Sequence, residues 1–254
     1  MISKDLSDYY NSEPNFSVFL PGECNAKCEF CYNQPQTNKV SYADYLKNLE
    51  DIFAELPKFC NTISITGYEP TLSPILSNVL RLTDEYDFDR VVLNTNGTAI
   101  FSCVNSIHLY VDYINLSRHH YIDAVNKRIF GGSYNLTTED IQMMCDEFNS
   151  MITLTSIVTP QTPYNFIDSY IDYALSLGVE NVLFRQIAGN PEFLYIFDKQ
   201  PYTGFTMDKY CRYRTGERYG MKYTFKSSVI NPGLLCGKIY EYIYKPDGKL
   251  YTQW

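Results

Sequence analysis

No stretch of this chain approaches the ~18 consecutive apolar residues that a membrane-spanning helix needs, although 45% of its 254 residues are hydrophobic. The first residues, Met1–Tyr10, are polar and acidic and lack the basic and apolar blocks of a secretory signal. These absences lead us to expect a soluble, cytoplasmic protein with no membrane partner. Basic residues are also short, since 21 Lys and Arg face 29 Asp and Glu for a formal net charge of −8. An acidic chain has no general attraction for phosphate backbones, so general nucleic-acid binding is not expected. Only three histidines are present, His108, His119 and His120, all far downstream of the clustered cysteines described next. No second cysteine pair follows that cluster, which argues against a zinc knuckle.

The chain does carry three thiols close together: Cys24, Cys28 and Cys31, in the run Pro21-Gly-Glu-Cys-Asn-Ala-Lys-Cys-Glu-Phe-Cys-Tyr32. Three clustered cysteines cannot all pair locally as disulfides, and without a secretion signal such thiols read as metal ligands. Three thiolates can hold three irons of a 4Fe–4S cube whose usual ligands are four cysteines. The missing fourth leaves one iron open, and an open position separates a catalytic metal site from a closed structural one. Two other readings stay open on the residues alone. One is a zinc-stabilised module completed by a distant ligand, and the other a non-catalytic iron–sulfur electron carrier, which would normally use four thiolates. Cys60, Cys103, Cys145, Cys211 and Cys236 are scattered and include ordinary buried cysteines.

Short β-branched or aromatic runs alternate with amphipathic stretches. Strands are expected near Ser17–Leu20, Thr62–Thr66, Arg90–Thr95, Tyr113–Ser117, Thr153–Val158 and Asn181–Arg185. Helices are expected over Ser41–Leu56, Pro74–Tyr86, Tyr121–Phe130, Thr137–Asn149 and Tyr164–Leu177, with Ser41 as a cap and Pro74 in a first turn. This alternation predicts a parallel α/β sheet with right-handed crossovers, too short for a complete eightfold barrel. Asn190–Gly220 reads as loops with one helix at most. Ile239–Trp254 reads as a β-hairpin turning at Pro246-Asp247-Gly248. The 24 tyrosines and 15 phenylalanines serve packing first, with an aromatic-lined pocket as the alternative.

The CxxxCxxC spacing, with Phe30 before the last cysteine, resembles the motif of the radical S-adenosylmethionine (SAM) superfamily, near its molybdenum-cofactor-cyclase and peptide-maturase branch. The resemblance implies a partial (βα)6 barrel over residues 15–190, after an N-terminal segment 1–14 and before a C-terminal extension 191–254 that ends in the hairpin. It also implies a 4Fe–4S cluster on Cys24, Cys28 and Cys31, with SAM chelating the open iron. Reductive cleavage then yields a 5′-deoxyadenosyl radical that abstracts hydrogen from substrate. The second strand ends Thr66-Gly67-Tyr68-Glu69-Pro70, similar to the family's GGEP motif with Tyr68 in place of the second glycine. The third ends Thr95-Asn96-Gly97 and the fourth Ser117-Arg118-His119-His120. By the resemblance, Phe30, Gly67, Tyr68, Glu69, Thr95, Asn96, Ser117, Arg118 and Ile157 are candidate SAM contacts. His119, His120 and Arg185 are candidate catalytic residues at the substrate. The implied partners are a low-potential donor of flavodoxin or ferredoxin type and either a peptide or a small-molecule substrate. A peptide would be cross-linked or epimerised. Relatives that modify peptides often carry further cysteine clusters in a C-terminal extension; here only Cys211 and Cys236 lie in that region, and they make no second cluster.

Overall fold

The computed structural model describes residues 10–31, 38–56, 60–148, 151–158, 162–163, 165–179, 181–186, 206–207, 213–218, 221–226 and 239–252. In chain order these form β1 (Tyr10–Leu20), α1 (Tyr42–Phe53), β2 (Thr62–Gly67), α2 (Leu76–Glu85), β3 (Arg90–Thr95), α3 (Val104–Tyr110) and β4 (Tyr113–Ser117). There follow α4 (Asp123–Phe130), α5 (Thr138–Phe148), β5 (Ile152–Val158), α6 (Phe166–Ser176), β6 (Asn181–Gln186), β7 (Thr206–Met207), β8 (Tyr213–Arg218), β9 (Met221–Lys226), β10 (Ile239–Tyr244) and β11 (Leu250–Tyr251). Contacts divide the chain into two units. Met1–Lys27, Cys31–Ile114 and Gly237–Trp254 make the first, and Cys28–Phe30 with Asn115–Cys236 the second.

In the first unit the strands run in the order β11-β10-β1-β2-β3, parallel except for the β10–β11 hairpin. β2 and β3 alternate as a parallel strand with one apolar side should: Ile63, Ile65, Val91 and Leu93 are buried, and Thr62, Ser64, Val92 and Asn94 only partly so. α1 begins at Ser41, whose hydroxyl accepts from the Asp44 N–H at 3.1 Å. It buries Tyr45, Leu49 and Phe53, and the Phe53 ring meets Phe16 of β1 edge-on at 5.8 Å. Each such side chain contributes about 1.5–3 kcal/mol by leaving water. Tyr45 donates its hydroxyl to the Phe19 carbonyl at 2.9 Å, and Tyr244 donates to the Tyr45 carbonyl at 2.8 Å. Two buried phenols thus find partners, the first tying α1 to β1 and the second tying the C-terminal hairpin to α1.

The second unit runs β4-β5-β6-β9-β8-β7, where β5, β6 and β9 are parallel and β9, β8 and β7 antiparallel. Its core gathers Leu154, Tyr170, Ile171, Val182 and Phe184. Each unit carries the mostly parallel α/β alternation expected of a partial (βα)6 barrel.

Several expectations need correction. Pro74 lies ahead of α2 instead of in its first turn, since the helix is capped at Ile75. The helix α3 went unread because it is short and has no side-chain cap. Within Asn190–Gly220 the described residues are strands β7 and β8, not helix, and Tyr213–Arg218 pairs along its whole length with β9. The C-terminal hairpin forms as expected around Gly248 at φ +74°. Its first strand also pairs in parallel with β1, a long-range contact that local patterning does not show.

Candidate active site

At the C-terminal ends of β1, β2 and β3, the first unit collects Cys24, Gly67, Glu69, Thr95 and Asn96. Gly67 lies opposite Leu20 in the β1–β2 register. Its φ is +120°, and a Cβ there would stand 2.9 Å from both the Leu20 nitrogen and oxygen. Only glycine tolerates this combination. Gly67→Ala is expected to destabilise the fold by about 2–3 kcal/mol or more, read as a lowered unfolding midpoint, because both backbone angle and contact are violated. Tyr68 needs no such freedom: among the described residues, Asp87 is the one non-glycine with positive φ. The exchange of the motif's second glycine for tyrosine is therefore compatible with this backbone, and Lys39 lies over the Tyr68 ring at 5.6 Å.

Glu69 is 2% exposed. One carboxylate oxygen accepts from the Thr71 N–H (3.0 Å), the Thr71 hydroxyl (2.7 Å) and the Thr95 hydroxyl (2.5 Å). The other accepts from the Asn96 N–H at 2.7 Å. Burial raises its pKa, and the four donors recover part of that rise. The carboxylate thus clamps the ends of β2 and β3 together from within. The Glu69 N–H also donates to the Glu23 carbonyl at 3.3 Å, and Ser73 donates to the Pro21 carbonyl at 2.7 Å. The cysteine loop is tied to the same rim.

The Cys24 sulfur receives the Ala26 N–H at 3.4 Å and faces the Asn96 amide nitrogen at 4.0 Å. Burial pushes this thiol upward, Glu69 and Cys31 add to the rise, and the two donors oppose it. Cys24, Cys28 and Cys31 form no disulfide, and each is half-buried or exposed. Cys60, Cys103 and Cys145 differ, with pKa values raised to about 12, about 11 and about 11 by burial. Cys60 is buried and the other two are half-buried, and thiols held this far up are inert. Cys211 and Cys236 lie outside the described residues. Among the described residues no three Cys, His, Asp or Glu side chains already stand as a metal-holding group. The fit to an iron–sulfur cluster rests instead on donor chemistry: three thiols in one loop with no disulfide among them, one of them receiving N–H groups as a cluster thiolate does.

In the second unit, Cys28 lies 3.8 Å from the Phe130 carbonyl at the end of α4. Phe30 meets His119 edge-on at 5.0 Å, and His119 stacks on Phe130 at 4.6 Å, which stacks on Tyr134 at 3.9 Å. The Ile157 N–H donates to His119 Nδ1 at 3.2 Å. A backbone N–H can only donate, so the ring proton sits on Nε2. Burial, with the Arg118 and Arg185 charges, lowers the His119 pKa to about 3. His119 is therefore a neutral hydrogen-bond donor at physiological pH, not a general base. The unfolded chain protonates this residue near pH 6.5 and the folded one does not, so stability falls as pH drops from about 6.5 towards 3, by about 1.4 kcal/mol per unit. His119→Gln is expected to remove one proton's worth of that slope in denaturant titrations, which an unchanged slope would contradict.

Arg118 is fully buried. Its guanidinium pairs with Asp123, contacts the Leu136 and Tyr121 carbonyls at 3.4 Å and lies 5.4 Å from the Tyr173 ring. Its fork is thus occupied inside the unit, where it supports the turn after β4. The Asn126 amide oxygen accepts from the His119 and His120 N–H groups at 2.8 and 3.1 Å, fixing the same turn. His120 Nδ1 accepts from the Ile122 N–H at 3.0 Å, and its ring lies near Tyr121 and Phe166. Ser117, Ile157 and Arg185 are half-buried at their strand ends. Sequence reasoning missed Asn25, Thr71, Thr98 and Asn126. All four act through hydrogen bonds across the sequence or within turns, and no motif marks them.

A family model described as the radical SAM superfamily matches residues 18–173, more than half of the chain. The chain belongs to the radical SAM superfamily. Its cofactors are accordingly a 4Fe–4S cluster and SAM. Among curated proteins it is similar to one from Saccharolobus solfataricus named as a probable GTP 3′,8-cyclase, 26% identical over 171 residues, covering 65% of this chain and 54% of the relative. The chain thus spans about half the length of the curated relatives it matches. Among solved structures, SuiB of Streptococcus suis bound to S-adenosylmethionine superposes with a TM-score of 0.65 at 15% identity, over 98% of this chain and 62% of SuiB. The anSMEcpe structure with bound AdoMet and a Cp18Cys peptide gives 0.55 at 17% identity, over 69% of this chain and 52% of that one. These superpositions show the fold of a radical SAM protein.

Proposed function

We propose that this protein cleaves SAM reductively at a 4Fe–4S cluster held by Cys24, Cys28 and Cys31, and abstracts hydrogen from a ribosomally made peptide that it cross-links or epimerises. The observation that carries the reading is the CxxxCxxC thiol loop, tied through Glu23 and Asn25 to the Gly67–Pro70 and Thr95–Thr98 strand ends. When bound, the cluster and SAM together supply the one-electron cleavage that makes a 5′-deoxyadenosyl radical. The chain's residues do the rest: they orient, enclose and shield. Gly67, Tyr68, Glu69, Thr95 and Asn96 form the rim for the methionine end of SAM. The Gly67 backbone allows close approach, and Glu69 holds that rim rigid from beneath. Phe30, Ser117 and Ile157 flank the remainder of SAM. Arg118 supports Ser117 and the His119-His120 turn from inside the core. His119 offers Nε2–H as a neutral donor, and His120 and Arg185 face substrate. The electron comes from a low-potential donor of flavodoxin or ferredoxin type.

The peptide reading is supported by the likeness to SuiB, also solved bound to its precursor peptide SuiA with a TM-score of 0.60 at 18% identity. A nucleotide is the second reading, favoured by the relatives named as probable GTP 3′,8-cyclases. The discriminating experiment adds either a synthetic peptide encoded beside the gene or GTP to the reduced enzyme with SAM. Loss of two hydrogens from the peptide, or deuterium uptake from heavy water, is the expected result. Peptide recovered unchanged while GTP is consumed would replace this reading with the nucleotide one.

A further inference from the structure

Asn25, Asn96 and Thr98 form a closed ring of side-chain hydrogen bonds beside Cys24. The Asn25 amide donates to the Thr98 hydroxyl at 2.9 Å, that hydroxyl donates to the Asn96 amide oxygen at 2.7 Å, and the Asn96 amide nitrogen donates to the Asn25 oxygen at 2.9 Å. Each member gives one bond and receives one, an arrangement in which successive bonds polarise each other. The direction of the ring is set by the backbone. The Thr98 N–H donates to the same Asn96 oxygen at 3.0 Å, and since it can only donate, the opposite end of that amide must be the NH2. That NH2 faces the Cys24 sulfur. Asn96 is 6% exposed, so its amide has little water to turn towards.

We propose that this ring is a positioning device for the cluster: it latches the cysteine loop to the end of β3 and holds an N–H donor on the Cys24 thiolate, raising the reduction potential and slowing iron loss. The inference rests on the cluster-binding reading above and assigns Asn96 a partner other than SAM. Hydrogen bonds to cluster sulfurs raise the potential by stabilising the more negative reduced state. Outer-shell partners of this kind typically change metal affinity by about 10–100-fold.

The test uses anaerobically reconstituted full-length protein and three variants. Thr98→Val keeps the shape and removes the hydroxyl that closes the ring, whereas Thr98→Ser keeps the hydroxyl. Asn96→Asp keeps the acceptor for Thr98 but removes the N–H and adds negative charge. Two quantities are read without SAM turnover, the midpoint potential by dye-mediated titration and the rate of iron release to a ferrous chelator. Thr98→Val and Asn96→Asp are expected to have more negative potentials and iron release faster by about tenfold, and Thr98→Ser to match the parent. Parental potential and release rate in both Thr98→Val and Asn96→Asp overturn the inference, even if their apoproteins melt earlier. A parent protein that takes up no iron overturns the cluster reading itself, an outcome distinct from a cluster that forms but ignores the ring.

Discussion

Replacing Cys28 by alanine is expected to abolish formation of 5′-deoxyadenosine from SAM and to lower the iron retained after anaerobic reconstitution. Two thiolates cannot hold the three irons that leave a single one open. The apoprotein should survive the change, because Cys28 is only half-buried and its sulfur lies a long 3.8 Å from the Phe130 carbonyl. An unfolding midpoint close to the parent's would separate lost chemistry from lost fold. Cys60→Ala is the matching control, because that thiol is buried and pushed up to about 12, unfit to ligate iron at neutral pH. It should leave deoxyadenosine formation intact at a modest cost in stability. Retained SAM cleavage in Cys28→Ala would contradict the ligand assignment.

The second large effect falls on Glu69. Glu69→Leu leaves the Thr71 and Asn96 N–H groups buried without an acceptor, whereas the Thr71 and Thr95 hydroxyls can rotate to seek others. Two orphaned backbone donors at about 1–3 kcal/mol each give a loss of roughly 2–6 kcal/mol. Glu69→Gln keeps the shape, but its NH2 must face either the Asn96 N–H or the three donors on the other oxygen. It should lose roughly 1–3 kcal/mol. The clamp joins the ends of β2 and β3, so SAM affinity is expected to fall with stability in the order parent, Gln, Leu. Equilibrium dialysis with labelled SAM beside denaturant melts reads both. A Glu69→Leu protein as stable as the parent would remove the clamp from this account.

The strands were legible because their residues carry the period. Arg90–Thr95 and Tyr113–Ser117 were bounded correctly, as β-branched or aromatic runs ending at turn residues or polar groups. Ser41 announced α1 through a side chain that does cap it. The pairing of β10 with β1 left no local trace, because Asn15 and Glu241 lie 226 positions apart. The cysteine and strand-end motifs were visible as spacing, but not what their residues do. Glu69 reads as a SAM contact, and it is a buried acceptor of four bonds. Arg118 reads as a SAM contact, and one end of its guanidinium already pairs with Asp123, five residues on. His119 reads as a catalytic residue at the substrate, and burial beside two arginines keeps it neutral. Burial and partner choice are tertiary properties, so a motif can locate a site without assigning its groups.

The measurement closest to the central claim is incubation of the anaerobically reconstituted protein with SAM and dithionite, followed by quantitation of 5′-deoxyadenosine by mass spectrometry. The account predicts deoxyadenosine from the intact protein and none without reductant or after Cys28→Ala. A protein that binds a full cluster yet forms no deoxyadenosine, with or without the peptide and GTP, would contradict it.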